Sequence, residues 1–125
     1  MLHRSWLSLT LLVVCACAGS RAQGARDRYL ITEAEIEASA QLNAYEVVQA
    51  LRPEFLRTRG TTSFRATEPV EAVVYVDGLR TGDPSTLRGV PREVVREIRY
   101  IDAREATTRY GTGHGGGVIM VSTKR

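Results

Sequence analysis

The segment VEAVVYVDG, residues 70–78, determines the fold class that this chain is expected to adopt. Its β-branched residues favour an extended strand, and the Asp-Gly pair that ends it is typical of a tight turn. We therefore predict a strand over Val70–Val76, a turn at Asp77 and Gly78, and a short return strand from Leu79. An aspartate next to glycine at the end of a strand is interpreted as turn chemistry rather than as a catalytic carboxylate.

A glycine-rich loop precedes the last strand of the sequence. Five of the seven residues from Gly111 to Gly117 are glycine, and the β-branched run Val118–Thr123 follows them. A phosphate-binding loop needs a helix after it, whose N-terminal N–H groups hold the anion. Because a strand follows here, we interpret the glycines as positions of left-handed or closely packed backbone. His114, inside this loop, is expected to be exposed and mobile.

The region between the two strands predicts a further strand and two short helices. Residues Glu97–Asp102 favour a strand, Ala103–Tyr110 favours one or two helical turns, and a short helix is predicted to begin near Pro91. Glu93 and Glu97 would then share one face of that helix. Since arginines alternate with them, a solvated and salt-bridged surface is a better interpretation than acid–base catalysis.

The first half of the chain predicts two helices. Thr32 and Asn43 are each followed three residues later by glutamate, which is the pattern of a capping box. We predict helices over Glu33–Ser39 and from Asn43 to Arg52, with Pro53 ending the second or opening a new turn.

The segments Arg57–Glu68 and Thr81–Ser85 lack periodicity and predict loops. The order of elements predicts a single small α+β (α/β) domain with a mixed β-sheet and short helices. Such a sheet must protect its edges or pair them with something, so we expect association through a sheet edge.

The first 22 residues have the pattern of a secretory signal peptide. The apolar run Trp6–Ala18 is shorter than the about 20 residues that a membrane-spanning helix needs. Small residues at its end suit cleavage after Ala18 or Ala22. We therefore expect a removed segment over 1–22, a flexible segment over 23–30, and the folded domain over 31–125.

Both cysteines lie in this leader. Cleavage after Ala18 would leave a protein with no cysteine and no disulfide. A second interpretation is open, because Val14-Cys15-Ala16-Cys17 resembles a bacterial lipobox. In that case Cys17 becomes the lipidated first residue, and the lipid tethers the protein to a membrane surface. With two cysteines and two histidines in the chain, no metal site and no cofactor are expected.

The charge and the side-chain pattern exclude two broad function classes. Seventeen Lys and Arg residues against fourteen Asp and Glu residues give a net charge of +3 over 125 residues, with both signs interspersed. This excess is too small to indicate a nucleic-acid partner. The chain has no nucleophile elbow and no metal-ligand spacing, and we therefore do not expect an enzyme.

Four pieces of the second half are similar, in the same order, to the plug domain of TonB-dependent outer-membrane receptors. Residues 73–78 resemble its strand and Asp-Gly turn, and residues 90–98 resemble its Ile-Pro helix and strand. Residues 109–111, Arg-Tyr-Gly, resemble its Tyr-Gly turn. Residues 116–124, GGVIMVSTK, resemble its closing strand. The structural positions that the resemblance implies are Asp77, Gly78, Tyr110, Gly111, Gly116 and Gly117.

In that family the plug is a small α/β domain inside a membrane β-barrel, where it blocks the pore and helps to bind substrate. The present sequence departs from the family in three ways. It stops at Arg125, where a receptor begins its barrel; it lacks a clear TonB box around Tyr29–Thr32; and it has Ala103-Arg104-Glu105 where the family often has Gly-Pro. Transport therefore requires that another chain supply the barrel.

The resemblance implies an exported, stand-alone and non-catalytic interaction module at the outer membrane or in the periplasm of a Gram-negative-type bacterium. Its expected partner is an outer-membrane barrel or another envelope protein, and membrane association would come through a lipid or through that partner. One alternative is a lipid-anchored adaptor tethered at Cys17. Another is a small exported ligand-binding protein that uses the glycine-rich loop with His114.

Overall fold

The computed structural model describes residues 27–60 and 70–125. Within these two ranges, five strands form one sheet, and they are β1 (Leu30–Ile31), β2 (Val73–Val76), β3 (Leu79–Gly82), β4 (Val95–Ile101) and β5 (Val118–Thr123). Their spatial order is β1-β4-β5-β2-β3. The β2–β5 pair is parallel, and the other neighbours are antiparallel. This mixed sheet with short helices confirms the predicted α+β class.

Three of the four predicted helices form, and the N-caps expected for the first two are present. They are α1 (Glu33–Ala38), α2 (Ala44–Leu51) and α3 (Ala103–Tyr110). The Thr32 hydroxyl accepts a hydrogen bond from the N–H of Glu35, whose carboxylate accepts one from the N–H of Thr32, so the capping box is complete. Asn43 caps α2 by accepting from the N–H of Glu46. After α2, Pro53–Leu56 continue as a 3₁₀ turn.

The prediction of a helix beginning near Pro91 is wrong. Only Arg92–Val94 form a single 3₁₀ turn, and β4 begins directly at Val95. Glu93 and Glu97 therefore lie in different elements and share no helix face. Ile98 and Tyr100 are buried at strand spacing, and this burial outweighs the local helical signal.

Three further segments differ from the sequence prediction. Leu30, expected to be flexible, pairs with Arg99 as part of β1. The return strand β3 extends to Gly82, inside the segment predicted as a turn. Pro84–Gly89 then form a 3₁₀ helix whose first turn is capped by Asp83.

The two faces of the sheet are buried to different extents. Helices α1 and α2 cover one face of the sheet and enclose the larger core, and α3 covers part of the other face over a smaller cluster. Strands β2, β4 and β5 contribute to both clusters, because successive residues of a strand point to opposite faces. The larger core includes Ile31, Ile36, Val47, Val48, Phe55, Val74, Leu87, Ile98, Ile119 and Val121. The smaller cluster consists of Val73, Ile101, Ala106 and Val118.

Several sequence predictions fall outside the described residues. They are the signal peptide over 1–22, the lipidation site at Cys17, the first half of the flexible segment (23–26), and residues 61–68 of the predicted loop.

Candidate functional site

The Asp77-Gly78 turn is fixed to the end of β5. Both residues have left-handed backbone, with φ of 48° and 83°, as a two-residue hairpin turn requires. The Asp77 carboxylate accepts hydrogen bonds from the N–H of Thr123 (2.9 Å) and from its hydroxyl (2.6 Å). The Asp77 N–H donates to the carbonyl of Val121. The predicted role of Asp77 in a turn is confirmed, and the aspartate also joins two strands that are distant in sequence.

The hydrogen bonds with Thr123 favour the ionised form of the Asp77 carboxyl group. The hydrogen bonds from the hydroxyl and the N–H of Thr123 hold the pKa of its carboxyl below the ordinary 3.8, and the positive charges of Arg125 and Arg96 act in the same direction. The charged form therefore stabilises the folded state.

We expect the Asp77→Asn variant to differ from the wild type in the pH dependence of its stability. Because the folded pKa lies below the unfolded one, the stabilisation by the carboxylate is fully present above pH 3.8 and is lost as pH falls below that value. The difference in melting temperature should thus be constant near neutral pH and should shrink in acid. Circular dichroism melts between neutral pH and about pH 3 measure it. Thr123→Val should reduce the same difference, and a difference independent of pH would refute the assignment.

Tyr110 and Gly111 end α3. Gly111 has φ of 85° and donates its N–H to the carbonyl of Thr107, which closes the last turn. The Tyr110 ring stacks on Tyr75 of β2, with ring centroids 5.1 Å apart. The pair therefore anchors the C-terminal end of α3 to the sheet.

His114 is buried, and the prediction that it is exposed and mobile is wrong. Only 7% of its surface is accessible. Its Nε2 lies 3.0 Å from the Tyr75 hydroxyl, and its Nδ1 lies 3.1 Å from the carbonyl oxygen of Gly111. A neutral ring with the proton on Nδ1 satisfies both contacts, because Nδ1–H donates to the carbonyl and the tyrosine hydroxyl donates to Nε2. Both ring nitrogens are thus occupied within the fold.

Replacing His114 by alanine should lower the free energy of unfolding by about 1–2 kcal/mol, because the Tyr75 hydroxyl and the Gly111 carbonyl lose their partner. Urea denaturation measures this loss. In a Tyr75→Phe background the same substitution should cost less, since one of the two bonds is already absent. Equal losses in both backgrounds would show that the His114–Tyr75 bond does not contribute to stability.

Gly116 and Gly117 are closely packed, as the sequence predicts. A Cβ atom on Gly116 would overlap the backbone carbonyl of Glu71, and one on Gly117 would lie 2.7 Å from the carbonyl oxygen of Ile101. Gly117 also has φ of 89°. The Gly116 carbonyl accepts from the Tyr100 hydroxyl at 2.9 Å, and the Gly117 carbonyl accepts from the N–H of Val73.

Two residues that were not predicted as site residues also hold the ends of β5 in place. Tyr100 is buried against Phe55, with ring centroids 4.9 Å apart, and burial raises the pKa of its hydroxyl. Lys124, the only lysine of the sequence, holds the end of β5 to α1 through Glu33 (2.9 Å) and Glu37 (3.0 Å). The Ser-Thr-Lys sequence at the end of the last strand could have indicated a role for Lys124. The sequence around Tyr100 contains no comparable signal.

The six candidate positions lie at two ends of the sheet. Asp77 and Gly78 lie where β5 ends, and the other four (Tyr110, Gly111, Gly116 and Gly117) lie around its start. Each of these residues fixes the conformation of the backbone or packs an aromatic ring against the sheet. Among residues 27–60 and 70–125, no group of three His, Cys, Asp or Glu side chains is arranged to hold a metal ion. Within the same ranges, no helix combines the length and the apolar character needed to cross a membrane.

No model of a known protein family matches the chain, and no curated protein matches it significantly.

Proposed function

We propose that this chain is an exported plug-like domain that acts as a non-catalytic interaction module at the outer membrane or in the periplasm. The observation that carries the proposal is the joint position of the plug-like sequence pieces. The Asp-Gly turn is bonded to Thr123 of β5, the strand that the Gly-Gly pair opens. The Tyr-Gly turn packs on β2, the parallel neighbour of β5, through the stacking of Tyr110 on Tyr75. The similarity thus covers one connected substructure rather than unrelated short matches.

The side chains at these positions support binding rather than catalysis. Asp77 is engaged by Thr123, and His114 is engaged by Tyr75 and Gly111. A general base needs a basic lone pair directed at a substrate: both ring nitrogens of His114 are engaged within the fold, and the lowered pKa of Asp77 makes its carboxylate a weak proton acceptor. The ligand-binding alternative depended on an exposed His114, and it loses that support.

Cell fractionation of the full chain tests the proposal. Expressed with a C-terminal tag in a Gram-negative host, the protein should be recovered in the periplasmic or outer-membrane fraction and begin after Ala18 or Ala22 in N-terminal sequencing. Recovery of the uncleaved chain from the cytoplasm would refute export. Photo-crosslinking in the envelope of the native host should then join the chain to an envelope protein.

Palmitate labelling separates the lipid-anchored adaptor from the unanchored module. If Cys17 is lipidated, label should be incorporated and should be lost in Cys17→Ser but kept in the matched control Cys15→Ser. Absence of label in the wild type removes the lipid anchor and leaves the unanchored module.

A further inference from the structure

Among residues 27–60 and 70–125, no strand pairs with the outer edge of β3. β3 is the outermost strand on one side of the sheet, and the opposite edge strand, β1, has only two residues. The β2–β3 turn has two residues, so Val76 and Leu79, which flank it, form the hydrogen-bonded pair. Tyr75 and Arg80 form the next, non-hydrogen-bonded pair. The N–H and C=O of Arg80 therefore point away from β2.

This edge is held in place before any partner arrives. The turn is fixed through Asp77, whose carboxylate binds both polar groups of Thr123. Farther along β3, the Thr81 hydroxyl donates to the Val74 carbonyl at 3.2 Å. A preorganised edge loses little conformational entropy when another strand adds to it.

The side chains of the edge define the chemistry of an added strand. Leu79 is 73% exposed, although it lies in a strand. Arg80 is also exposed, and it makes no ion pair with any residue in the described part of the chain. Because the two side chains point to opposite faces, a strand paired with β3 would place one of its residues beside each of them.

We propose that β3 accepts an extended strand of a partner protein, with an acidic residue opposite Arg80 and an aliphatic residue beside Leu79. The proposal rests on the proposed function, and it assigns the surface and the partner chemistry of the interaction module. A second copy of this chain fits less well, because pairing two β3 strands in register places Arg80 opposite Arg80 of the copy. The arginine thus opposes self-pairing while favouring an acidic strand.

Amide hydrogen exchange of the full chain, followed by NMR, tests the pairing directly. The probe is a short acetylated peptide of alternating valine and threonine with one central glutamate, and the control peptide has lysine in place of glutamate. The glutamate peptide should slow exchange of the Arg80 amide. The lysine peptide should bind about tenfold more weakly, because an attractive cross-strand pair becomes a repulsive one.

Three variants sharpen the test. Arg80→Pro removes the outward N–H without removing a hydrogen bond to β2, and it should abolish peptide binding while the chain stays folded. Arg80→Glu leaves the backbone intact and should reverse the preference, so that the lysine peptide binds more tightly. Arg99→Glu is the matched control, because Arg99 is an exposed arginine on the interior strand β4, and the preference should remain that of the wild type.

Either of two results overturns the proposal: an Arg80 amide that the glutamate peptide does not protect, or a peptide preference that Arg80→Glu leaves unchanged. Dimerisation in light scattering that Arg80→Pro abolishes would instead assign the edge to a second copy and refute the acidic partner. If the chain crosslinks to an envelope protein while the Arg80 amide stays unprotected, the proposed function stands and the edge assignment fails.

Discussion

Replacing Gly116 by alanine is expected to lower the free energy of unfolding by about 3 kcal/mol or more, because the new methyl group has no space. It would overlap the Glu71 carbonyl and lie 2.7 Å from the N of Ala72. Both contacts are with backbone, so no side-chain rotation relieves them. The segment entering β2 would have to move, and with it the parallel pairing with β5. Chemical denaturation of the purified chain measures the loss.

Gly89→Ala is the matched control for Gly116→Ala. A Cβ at Gly89 meets nothing within 4 Å, and its φ is not in the left-handed region. This substitution should leave stability within about 1 kcal/mol of the wild type. A Gly116→Ala variant as stable as Gly89→Ala would show that the backbone before β2 is not packed on the glycine.

Gly117→Ala should destabilise the chain by about 3–5 kcal/mol, since a steric overlap and an unfavourable backbone conformation add together. The residue has φ of 89°, and its Cβ would meet the Tyr100 hydroxyl and the Ile101 carbonyl. The substitution also displaces the group that hydrogen-bonds the Gly116 carbonyl. Thermal unfolding and the near-ultraviolet signal of the tyrosines follow the change.

A second glycine separates the two contributions to this loss. Gly113 has φ of 97° but no atom within 4 Å of a Cβ. Gly113→Ala therefore bears the conformational cost alone, about 1–3 kcal/mol, and should unfold at an intermediate denaturant concentration. If Gly113→Ala and Gly117→Ala lose the same free energy, packing against Tyr100 does not contribute.

The elements with strong local signals could be predicted from the sequence. The bounds of α3 and β5 are those expected, because Asp102 caps one and β-branched residues fill the other. The capping pairs at Thr32 and Asn43 located the starts of α1 and α2. The glycines of the loop were also correctly interpreted, because left-handed or crowded backbone is a property of glycine itself.

The remaining elements depend on contacts between distant residues. β1 has two residues and exists through its pairing with β4, so its own sequence carries almost no strand signal. Val94 and Val95 fit a helix locally, but the pairing of Val95 with Thr123 draws the chain into β4. His114 was expected to be mobile because its neighbours are glycines, and the Tyr75 hydroxyl that holds it is far away in sequence.

The candidate site shows the same limit. Asp77 could be assigned to a turn from its Asp-Gly context, but the acceptor role of its carboxylate depends on Thr123, which lies 46 residues away. Sequence motifs therefore located the residues, and the structure supplied the pairs in which they act.

The position of β5 in the sheet has a consequence for how the chain folds during synthesis. β5 is the last strand in the sequence and the middle strand of the sheet, between β4 and β2. Until Thr123 has been made and has left the ribosome, β2 and β4 have no strand between them to pair with, and the complete sheet cannot form. Contacts between such distant segments form slowly because loop closure must come first. Folding is thus expected to follow translation of the whole domain rather than to proceed with it.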